Sequence, residues 1–357
     1  MPLISVCIPA YNRADLLAPL LNSILIQEFV DFDIVIAEDS SPERLMIASK
    51  VAEYQQRFGA KVQYHENPQT LGYDGNLRRL LELATGDYVL FMGNDDLLAP
   101  LALKRISVVI AEFRDVAVIL RSYSSFSRDV NSVEQTFRYF PENRYFKPGA
   151  SSIVTFFRRS VFISGLLIKR AEAVSCSTQA FDGTLLYQQH LIGQILKRSA
   201  GFYLSDIVAY HRLGGIPDFG ASESERGLYV PKLQTPNSSL HFIQGMLSIA
   251  KSLEEDREFR VYDAILKDIG NYSFPFLAIQ RDKPLMDFLK YANKLACLGL
   301  WRAPLFFVYT FGLIAIGTRR CGLLIGFIKA RLNRTPMLGS VSSGERARCL
   351  KHVDINR

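Results

Sequence analysis

The chain has 357 residues, a length that usually folds as one large domain with a smaller second part. Hydrophobic residues make up 48% and charged residues 22%, which excludes a long disordered or low-complexity protein. The five cysteines lie far apart without a CxxC pair, so neither a zinc cluster nor a disulfide framework is indicated. Met1 leads directly into an apolar segment that lacks the features of a signal peptide, and we expect the N-terminal region to remain cytoplasmic.

The formal net charge of +7 is concentrated near the C-terminal end. Residues 281–357 contain 14 Lys or Arg against 4 Asp or Glu, whereas residues 1–280 are slightly acidic. Because the basic residues alternate with long aliphatic runs, the segment favours an anionic membrane surface as its partner over nucleic acid. The alternative interpretation is a solvated helical face.

The first half of the chain alternates short apolar runs with helical periodicity, which predicts a mostly parallel sheet flanked by helices. The predicted strands are 3–9, 32–37, 61–65, 88–92, 117–121 and 202–210, and the predicted helices are 15–27, 73–84, 99–113 and 182–198. Residues 214–236, rich in Gly, Pro and Ser, are predicted to be a linker or mobile loop. The predicted division is therefore an α/β domain over 1–213 and a helical, basic and apolar region over 237–357.

The C-terminal region contains an apolar run that is short for a membrane span. Helices are predicted at 238–255 and 258–269, and residues 303–317 form a run of 15 without charge. Since a bilayer span needs about 20 apolar residues, this run indicates an interfacial or re-entrant segment. A buried packing helix is the alternative.

Polar clusters follow three of the predicted strands. Residues 10–13 follow the first strand, residues 38–41 the second, and residues 94–96 the fourth. Ligands of open α/β sheets bind beyond the carboxyl ends of the strands, so these clusters are expected at one site. The adjacent carboxylates Asp95 and Asp96 suit Mg²⁺ or Mn²⁺, which can bridge a diphosphate and stabilise its charge.

Three ordered segments together resemble glycosyltransferase family 2. They are ISVCIPAYNR at residues 4–13, VIAEDSS at 35–41 and GDYVLFMGNDD at 86–96. Each is weak alone, but their order and spacing match the opening of that family's fold. The resemblance is clear over residues 3–100, fainter to about residue 212 and absent beyond. It implies a GT-A fold with a Rossmann-like sheet, to which the tail adds a helical, membrane-associating region.

The resemblance also implies roles in a nucleotide-sugar site. Asp39 would hydrogen-bond the base, and Asp96 would bind a divalent metal, Mn²⁺ or Mg²⁺. His211, after the last predicted strand, resembles the histidine that completes the metal site. Asn94 departs from the pattern, because many relatives have an aspartate there, and this removes one charge. The other residues implied in donor binding are Pro9, Ala10, Tyr11, Asn12, Asn67, Gly72, Asn76, Arg78 and Asp95, together with Asn94 itself.

Asp182 resembles the aspartate that serves as general base in inverting members of the family. A helix N-cap is its competing role, since an aspartate there accepts bonds from free backbone amides. The expected reaction is inverting transfer of a sugar from a nucleotide-sugar donor to an acceptor hydroxyl. The basic, apolar tail favours a polyprenyl-diphosphate-linked glycan acceptor in O-antigen or other surface-polysaccharide synthesis. We expect the protein to be peripheral on the inner face of the cell membrane, with no nucleic-acid partner.

Three other functions are weighed against this one. A nucleotidyltransferase should carry a Gly-rich, basic loop after the first strand, where this chain has PAYN at residues 9–12. A dinucleotide oxidoreductase should carry GxGxxG after a strand, and none follows one here. A non-catalytic, membrane-associated protein that binds a nucleotide-sugar remains open because of Asn94.

Overall fold

The computed structural model describes residues 1–215, 217–255, 259–332 and 349–350. The strands are β1 (Ile4–Ala10), β2 (Phe32–Glu38), β3 (Val62–Glu66), β4 (Tyr88–Phe91), β5 (Leu97–Leu98), β6 (Val116–Phe126), β7 (Val133–Phe137), β8 (Asn143–Phe146), β9 (Leu166–Lys169), β10 (Ala200–Arg212) and β11 (Cys349–Leu350). The helices are α1 (Ala14–Leu25), α2 (Arg44–Phe58), α3 (Gly72–Leu83), α4 (Ala102–Glu112), α5 (Ala150–Phe157), α6 (Arg170–Ser175), α7 (Tyr187–Ile195), α8 (Pro236–Ser252), α9 (Tyr262–Asn271), α10 (Phe274–Ala278), α11 (Leu285–Cys297) and α12 (Pro304–Leu332). Short 3₁₀ turns lie at Gly59–Lys61, Arg158–Ser160 and Leu300–Arg302.

One sheet organises the described chain, and the predicted α/β class is confirmed. Its strand order is β11-β8-β10-β6-β9-β4-β1-β2-β3, with β5 paired to β10 and β7 paired to β6. The neighbours β3, β2, β1 and β4 are parallel, as the predicted parallel sheet requires. Strand β9, which was not predicted, lies antiparallel between β4 and β6. The reversal brings the residues just before β9 to the carboxyl end of β4.

Helices cover both faces of the sheet, which explains the near-continuous apolar character of its central strands. Every residue of β2 and β4 is buried. On one face, α1, α2 and α4 pack in one hydrophobic cluster with side chains of β1 and β2. On the other face, α3 and α7 belong to a second cluster that continues through α8, α9 and α11. The C-terminal helices therefore extend the core of this second face.

Helix α12 carries the apolar run predicted near the C-terminal end. Within the part of the chain that the structure describes, one helix, Pro304–Ile328, is long and apolar enough to cross a membrane by length and composition alone. Its regular geometry is broken at Gly317, where φ is 74° and ψ is 172°. The remainder of the predicted tail, residues 333–348 and 351–357, lies outside the described residues, as does residue 258 at the start of another predicted helix.

Gly86 should be intolerant of any side chain, because it lies against β1. A Cβ atom there would lie 2.6 Å from the backbone nitrogen of Ser5. We expect Gly86→Ala to lower the free energy of unfolding by about 1–3 kcal/mol through overpacking, measured by urea denaturation. Gly326→Ala is the matched control, since nothing lies within 4 Å of a Cβ at that helical position. Equal stability of the two variants would contradict the packing argument.

Candidate functional site

A cleft of about 470 Å³ opens beyond the carboxyl ends of β1, β2 and β4. Such edges are where open α/β sheets bind ligands. The three polar clusters predicted to share a site each contribute to its walls. The predicted residues that line it are Pro9, Ala10, Tyr11, Asp39, Gly72, Asn76, Asn94, Asp95, Asp96 and His211.

The loop after β1 is held by side chains from other parts of the cleft. Asn94 donates through Nδ2 to the carbonyl oxygens of Asn12 at 3.0 Å and Tyr11 at 3.4 Å. Asn12 in turn donates to Asp218 Oδ2 at 2.6 Å. Asn12 and Arg13 both have left-handed backbone conformations, which non-glycine residues adopt only when their surroundings impose them. An ionised aspartate at position 94 could not donate these bonds, and this explains in structural terms why an asparagine stands there.

Asp39 lies at the end of β2 and fixes the turn that leads into α3. Its Oδ1 accepts bonds from Asn67 Nδ2 at 2.9 Å and from the Leu71 amide at 2.8 Å, and its Oδ2 accepts from the Gly72 amide at 2.9 Å. Burial raises the pKa of Asp39 to about 6, although these three donors act in the opposite direction. The carboxylate can accept about four bonds, so it retains capacity for a ligand donor.

Asn67 and Asn76 form a buried polar pair beside Asp39. Asn67 Nδ2 lies 3.0 Å from Asn76 Oδ1, and Asn76 Nδ2 donates to the Ala37 carbonyl at 3.0 Å. Asn76 lines the cleft, whereas Asn67 is not among the residues described as lining it. The predicted cluster is thus brought together, with Asn67 acting through Asp39 and Asn76.

Asp96, like Asp39, accepts three hydrogen bonds from protein groups. Its Oδ1 accepts from His211 Nδ1 at 3.1 Å and from the Arg212 amide at 2.9 Å. Its Oδ2 accepts from Ser164 Oγ at 2.5 Å. Burial alone would lower the pKa of His211, but the hydrogen bond and charge of Asp96, with the charge of Asp95, raise it overall.

Asp95 lies beside Asp96 and forms an ion pair with Arg13 at 2.5 Å. Burial, and next the charge of Asp96, raise the pKa of Asp95, while Arg13 opposes the shift. A cation near both carboxylates would stabilise their charged forms.

The oxygen and nitrogen atoms of Asp95, Asp96 and His211 are of the types that bind a divalent cation. Carboxylate oxygens are the preferred ligands of Mg²⁺, and Mn²⁺ also accepts imidazole nitrogen. Among the described residues, no group of three or more His, Cys, Asp or Glu side chains already surrounds one point. Mg²⁺ commonly binds through one or two carboxylates and completes its coordination with ligand phosphates and water, which is compatible with this arrangement.

Asp182 and Arg78 are not among the residues that line the cleft. They form a two-bond ion pair, with both N–O distances at 2.7 Å, and Arg78 also donates to the Thr178 carbonyl at 3.0 Å. Helix α7 begins at Tyr187 rather than at the predicted residue 182, because Leu185 adopts a positive φ of 64°. Asp182 is therefore not the N-cap residue of α7.

One wall of the cleft comes from the segment predicted as a linker or loop. Glu225 accepts bonds from the backbone amides of Tyr73 at 2.7 Å and Gly220 at 2.8 Å, which joins this segment to α3. A Cβ at Gly72 would collide with Ser222 Oγ, so the wall and the start of α3 are in close contact. Six of the lining residues that sequence reasoning missed are Val161, Phe162, Ile163, Asp218, Phe219 and Glu225. No local pattern marks them, because contacts remote in sequence bring them here.

Comparison with known proteins finds a family match over part of the chain and a similar fold. Residues 5–166 match the family model described as Glycosyl transferase family 2. The chain is 37% identical over 97 residues to the abequosyltransferase RfbV of Salmonella typhimurium, covering 27% of this chain and 29% of that protein. It is 32% identical over 97 residues to a GalNAc(5)-diNAcBac-PP-undecaprenol beta-1,3-glucosyltransferase of Campylobacter jejuni, covering 27% and 30%. The chain thus matches less than a third of the length of these curated relatives.

A solved structure resembles nearly the whole chain. Staphylococcus aureus TarS 1–349 in complex with UDP-GlcNAc aligns with a TM-score of 0.61, covering 97% of this chain and 99% of that one. Since sequence identity is 18%, this likeness establishes the fold alone. It agrees with the GT-A architecture that the sequence predicted.

Replacing Asn94 by the aspartate of the family pattern should destabilise the loop after β1. Asn94→Asp removes the donor to Tyr11 and Asn12 and adds charge beside Asp95 and Asp96. We expect the free energy of unfolding at pH 7 to fall by about 1–3 kcal/mol.

The stability of Asn94→Asp at different pH values distinguishes the effect of the added charge from the effect of the lost amide donor. Neighbouring acids and burial raise the pKa of the added carboxyl in the folded state, so its penalty is present above that pKa and shrinks as the pH falls towards 4. Urea denaturation at both pH values measures the effect, with Asn293→Asp on the exposed side of α11 as the control. A variant as stable as its control at pH 7 would contradict the assigned role of Asn94.

Proposed function

Because residues 5–166 match the model of glycosyltransferase family 2, we propose that the chain is an enzyme that moves a sugar from a nucleotide-sugar donor to an acceptor hydroxyl. The observation that carries the proposal is the single cleft in which all three family segments meet. Tyr11, Asp39 and the pair Asp95–Asp96 come from these segments and line that cleft together.

The donor's nucleoside would lie between the loop after β1 and the turn held by Asp39. Tyr11 would pack beside the base. Asp39 accepts three hydrogen bonds from the protein, and it would accept one more from the base. Asn76 and Gly72 line the adjoining part of the cleft, and the absence of a side chain at Gly72 leaves room for Ser222 and Glu225 of the facing wall. Asn12, Asn94 and Asn67 would act by holding these groups in place.

The diphosphate would lie near Asp95 and Asp96 with a divalent metal, Mn²⁺ or Mg²⁺. Asp96 and His211 would hold the ion, which when bound neutralises charge on the departing nucleoside diphosphate. Because His211 Nδ1 and Asp96 Oδ1 are bonded to each other at 3.1 Å, the two groups would hold one ion only after this hydrogen bond is exchanged for bonds to the metal. Burial of Asp96 and its protein donors limits its motion, which favours a preorganised site.

Asp182 is proposed as the general base of an inverting displacement. In that reaction it would take the proton from the acceptor hydroxyl as the hydroxyl attacks the anomeric carbon. Its carboxylate lies in the ion pair with Arg78, so the role requires the pair to open when the acceptor binds. The ion pair with Arg78 also offers a second role, in which Asp182 only anchors the segment before α7 against α3.

The acceptor is proposed to be a polyprenyl-diphosphate-linked glycan in O-antigen or other surface-polysaccharide synthesis. The Campylobacter relative is named for transfer onto a PP-undecaprenol-linked acceptor, which supports this class. The basic, apolar C-terminal region supports a position on the inner face of the cell membrane, where such lipids are accessible.

Donor binding should depend on the metal and on Asp96. In thermal or chemical unfolding of the full chain, a true donor at about a hundred times its Kd should add roughly 2.7 kcal/mol to the free energy of unfolding. Unfolding is measured with each member of a panel of nucleotide-sugars in the presence of Mn²⁺, which identifies the donor. The measurement is then repeated with EDTA to remove the metal. In Asp96→Ala we expect the Mn²⁺-dependent part of the increase to disappear.

The control for this experiment is Asp31→Ala, because Asp31 is exposed and remote from the cleft. Asp96→Ala also loses buried hydrogen bonds, which lowers its stability even without ligand. The comparison therefore uses the increase in the free energy of unfolding that the ligand causes within each variant. If no nucleotide-sugar stabilises the wild type, the donor proposal is wrong. A donor effect that persists in EDTA and in Asp96→Ala would instead remove the metal assignment.

A pair of variants separates the two roles of Asp182. As a general base, Asp182→Asn should lower kcat by a factor on the order of 10² to 10⁴ with little change in donor KM. Arg78→Gln breaks the same ion pair but keeps the carboxylate, so it should retain most of kcat. Steady-state kinetics with the identified donor measure both. Similar losses in the two variants would assign Asp182 to anchoring, and an unchanged kcat in Asp182→Asn would exclude it as the base.

A further inference from the structure

The 3₁₀ turn Leu300–Arg302 and helix α12 leave large apolar side chains uncovered. Six of them, Trp301, Phe307, Phe311, Leu323, Leu324 and Phe327, are between 43% and 68% exposed. Single exposed apolar residues are ordinary, but several large ones in one short stretch of chain indicate an interaction site. We call this group the tail surface.

The apolar helix that carries most of the tail surface is folded back on itself. A Cβ at Gly312 would lie 3.3 Å from Cys321 Sγ. Residues nine positions apart in a continuous α-helix are separated by roughly 13 Å along its axis, so the two cannot touch in a straight helix. The bend occurs at Gly317, whose positive φ of 74° is readily adopted by glycine.

Neither arm of this folded helix can cross a bilayer. The arms, residues 304–316 and 318–332, are roughly 20 and 22 Å long at 1.5 Å per residue. The hydrocarbon core of a bilayer is about 30 Å thick. Arg319 and Arg320 also follow the bend directly, where a deeply inserted tip would bury their charges.

The first arm is attached firmly to the rest of the protein. Phe306 and Leu313 are 2% and 0% exposed and belong to the cluster that contains α3 and α7. Arg281 Nε donates to the Leu313 carbonyl at 2.9 Å, and Tyr309 Oη lies 3.3 Å from the Asn271 carbonyl. One side of the arm therefore packs inward while Phe307 and Phe311 face outward.

Charge identifies the occupant of the tail surface. Residues 288–332 contain seven Lys or Arg and no Asp or Glu. Two of these cations have acidic neighbours, Arg302 with Asp263 at 3.0 Å and Lys290 with Asp287 at 4.0 Å, but the segment keeps a positive excess. Apolar side chains beside this excess match an anionic lipid surface, whereas a second copy would bring like charges together. The chain's own residues 333–357 are mostly polar or basic, which makes them a poor cover for this surface.

We propose that the bent helix α12 and the adjoining end of α11 form an in-plane membrane anchor that inserts the tail surface into one leaflet of an anionic bilayer without spanning it. The apolar side chains enter the boundary between headgroups and acyl chains, and Lys290, Lys294, Arg302, Arg319 and Arg320 lie at the level of the phosphates. The anchor needs no sugar donor or acceptor, so it can be tested apart from the transferase proposal.

Vesicle flotation of the full-length protein, without nucleotide or acceptor, tests the attachment. We expect flotation with vesicles of phosphatidylglycerol and phosphatidylcholine, and several-fold weaker binding to phosphatidylcholine alone or at high salt. The double variant Phe311→Glu/Leu323→Glu, with one change in each arm, should bind at least about tenfold more weakly.

Leu45→Glu/Met46→Glu is the matched control, because these two residues of α2 are 76% and 61% exposed and lie far from α12 in the chain. It should float like the wild type. The proposal is overturned if the wild type does not float, if the tail variant floats equally well, or if the control loses as much binding. It is also overturned if concentration-dependent self-association buries the tail surface and prevents flotation.

Tryptophan fluorescence tests the depth of insertion. Trp301 is the sole tryptophan of the chain, so its emission should shift to shorter wavelength when vesicles are added. In Trp301→Phe/Phe311→Trp, lipids brominated near the headgroup should quench the new tryptophan more strongly than lipids brominated near the chain end. Stronger quenching by the deep label would place residue 311 near the bilayer centre and favour a spanning helix over the in-plane anchor.

Discussion

The carboxylate of Asp96 joins three parts of the chain that are distant in sequence. It accepts hydrogen bonds from Ser164 before β9 and from His211 and Arg212 at the end of β10, while it follows β4 itself. Asp96 is only 2% exposed, so these donors, rather than water, stabilise its charge. The position of the aromatic residue Phe162, which lies 4.8 Å from the His211 ring, depends on the same junction. The cleft is therefore organised by the protein before any ligand enters.

The sequence was informative where local chemistry determines structure. Strands β1, β2 and β4 are buried on both faces, and their apolar runs could be recognised without knowledge of their neighbours. Strand β9 has four residues and owes its direction to pairing with β4 and β6, which no local pattern indicates. The wall that carries Glu225 was missed for the same reason, because its Gly- and Ser-rich composition suggests a loop but not what the loop contacts.

Two motif residues show how a family pattern and local chemistry give different information. The pattern marks Asn94 as the loss of an acid, whereas its contacts show an amide that donates to two backbone carbonyls. The pattern suggests Asp182 as a base, whereas its contacts show a carboxylate held by Arg78 outside the cleft lining. A sequence motif identifies which residue types recur, but hydrogen-bond donors and acceptors determine what each one does in a given chain.

The attachment of α12 to the protein core has a geometric consequence for the proposed membrane anchor. With Phe306 and Leu313 buried in the same cluster as α3 and α7, the arm and the catalytic body move as one unit. If the tail surface rests in a leaflet, the cleft is held at a fixed height above the lipid phosphates. The lipid-linked acceptor proposed above would then be reached only if its hydroxyl stands at that height.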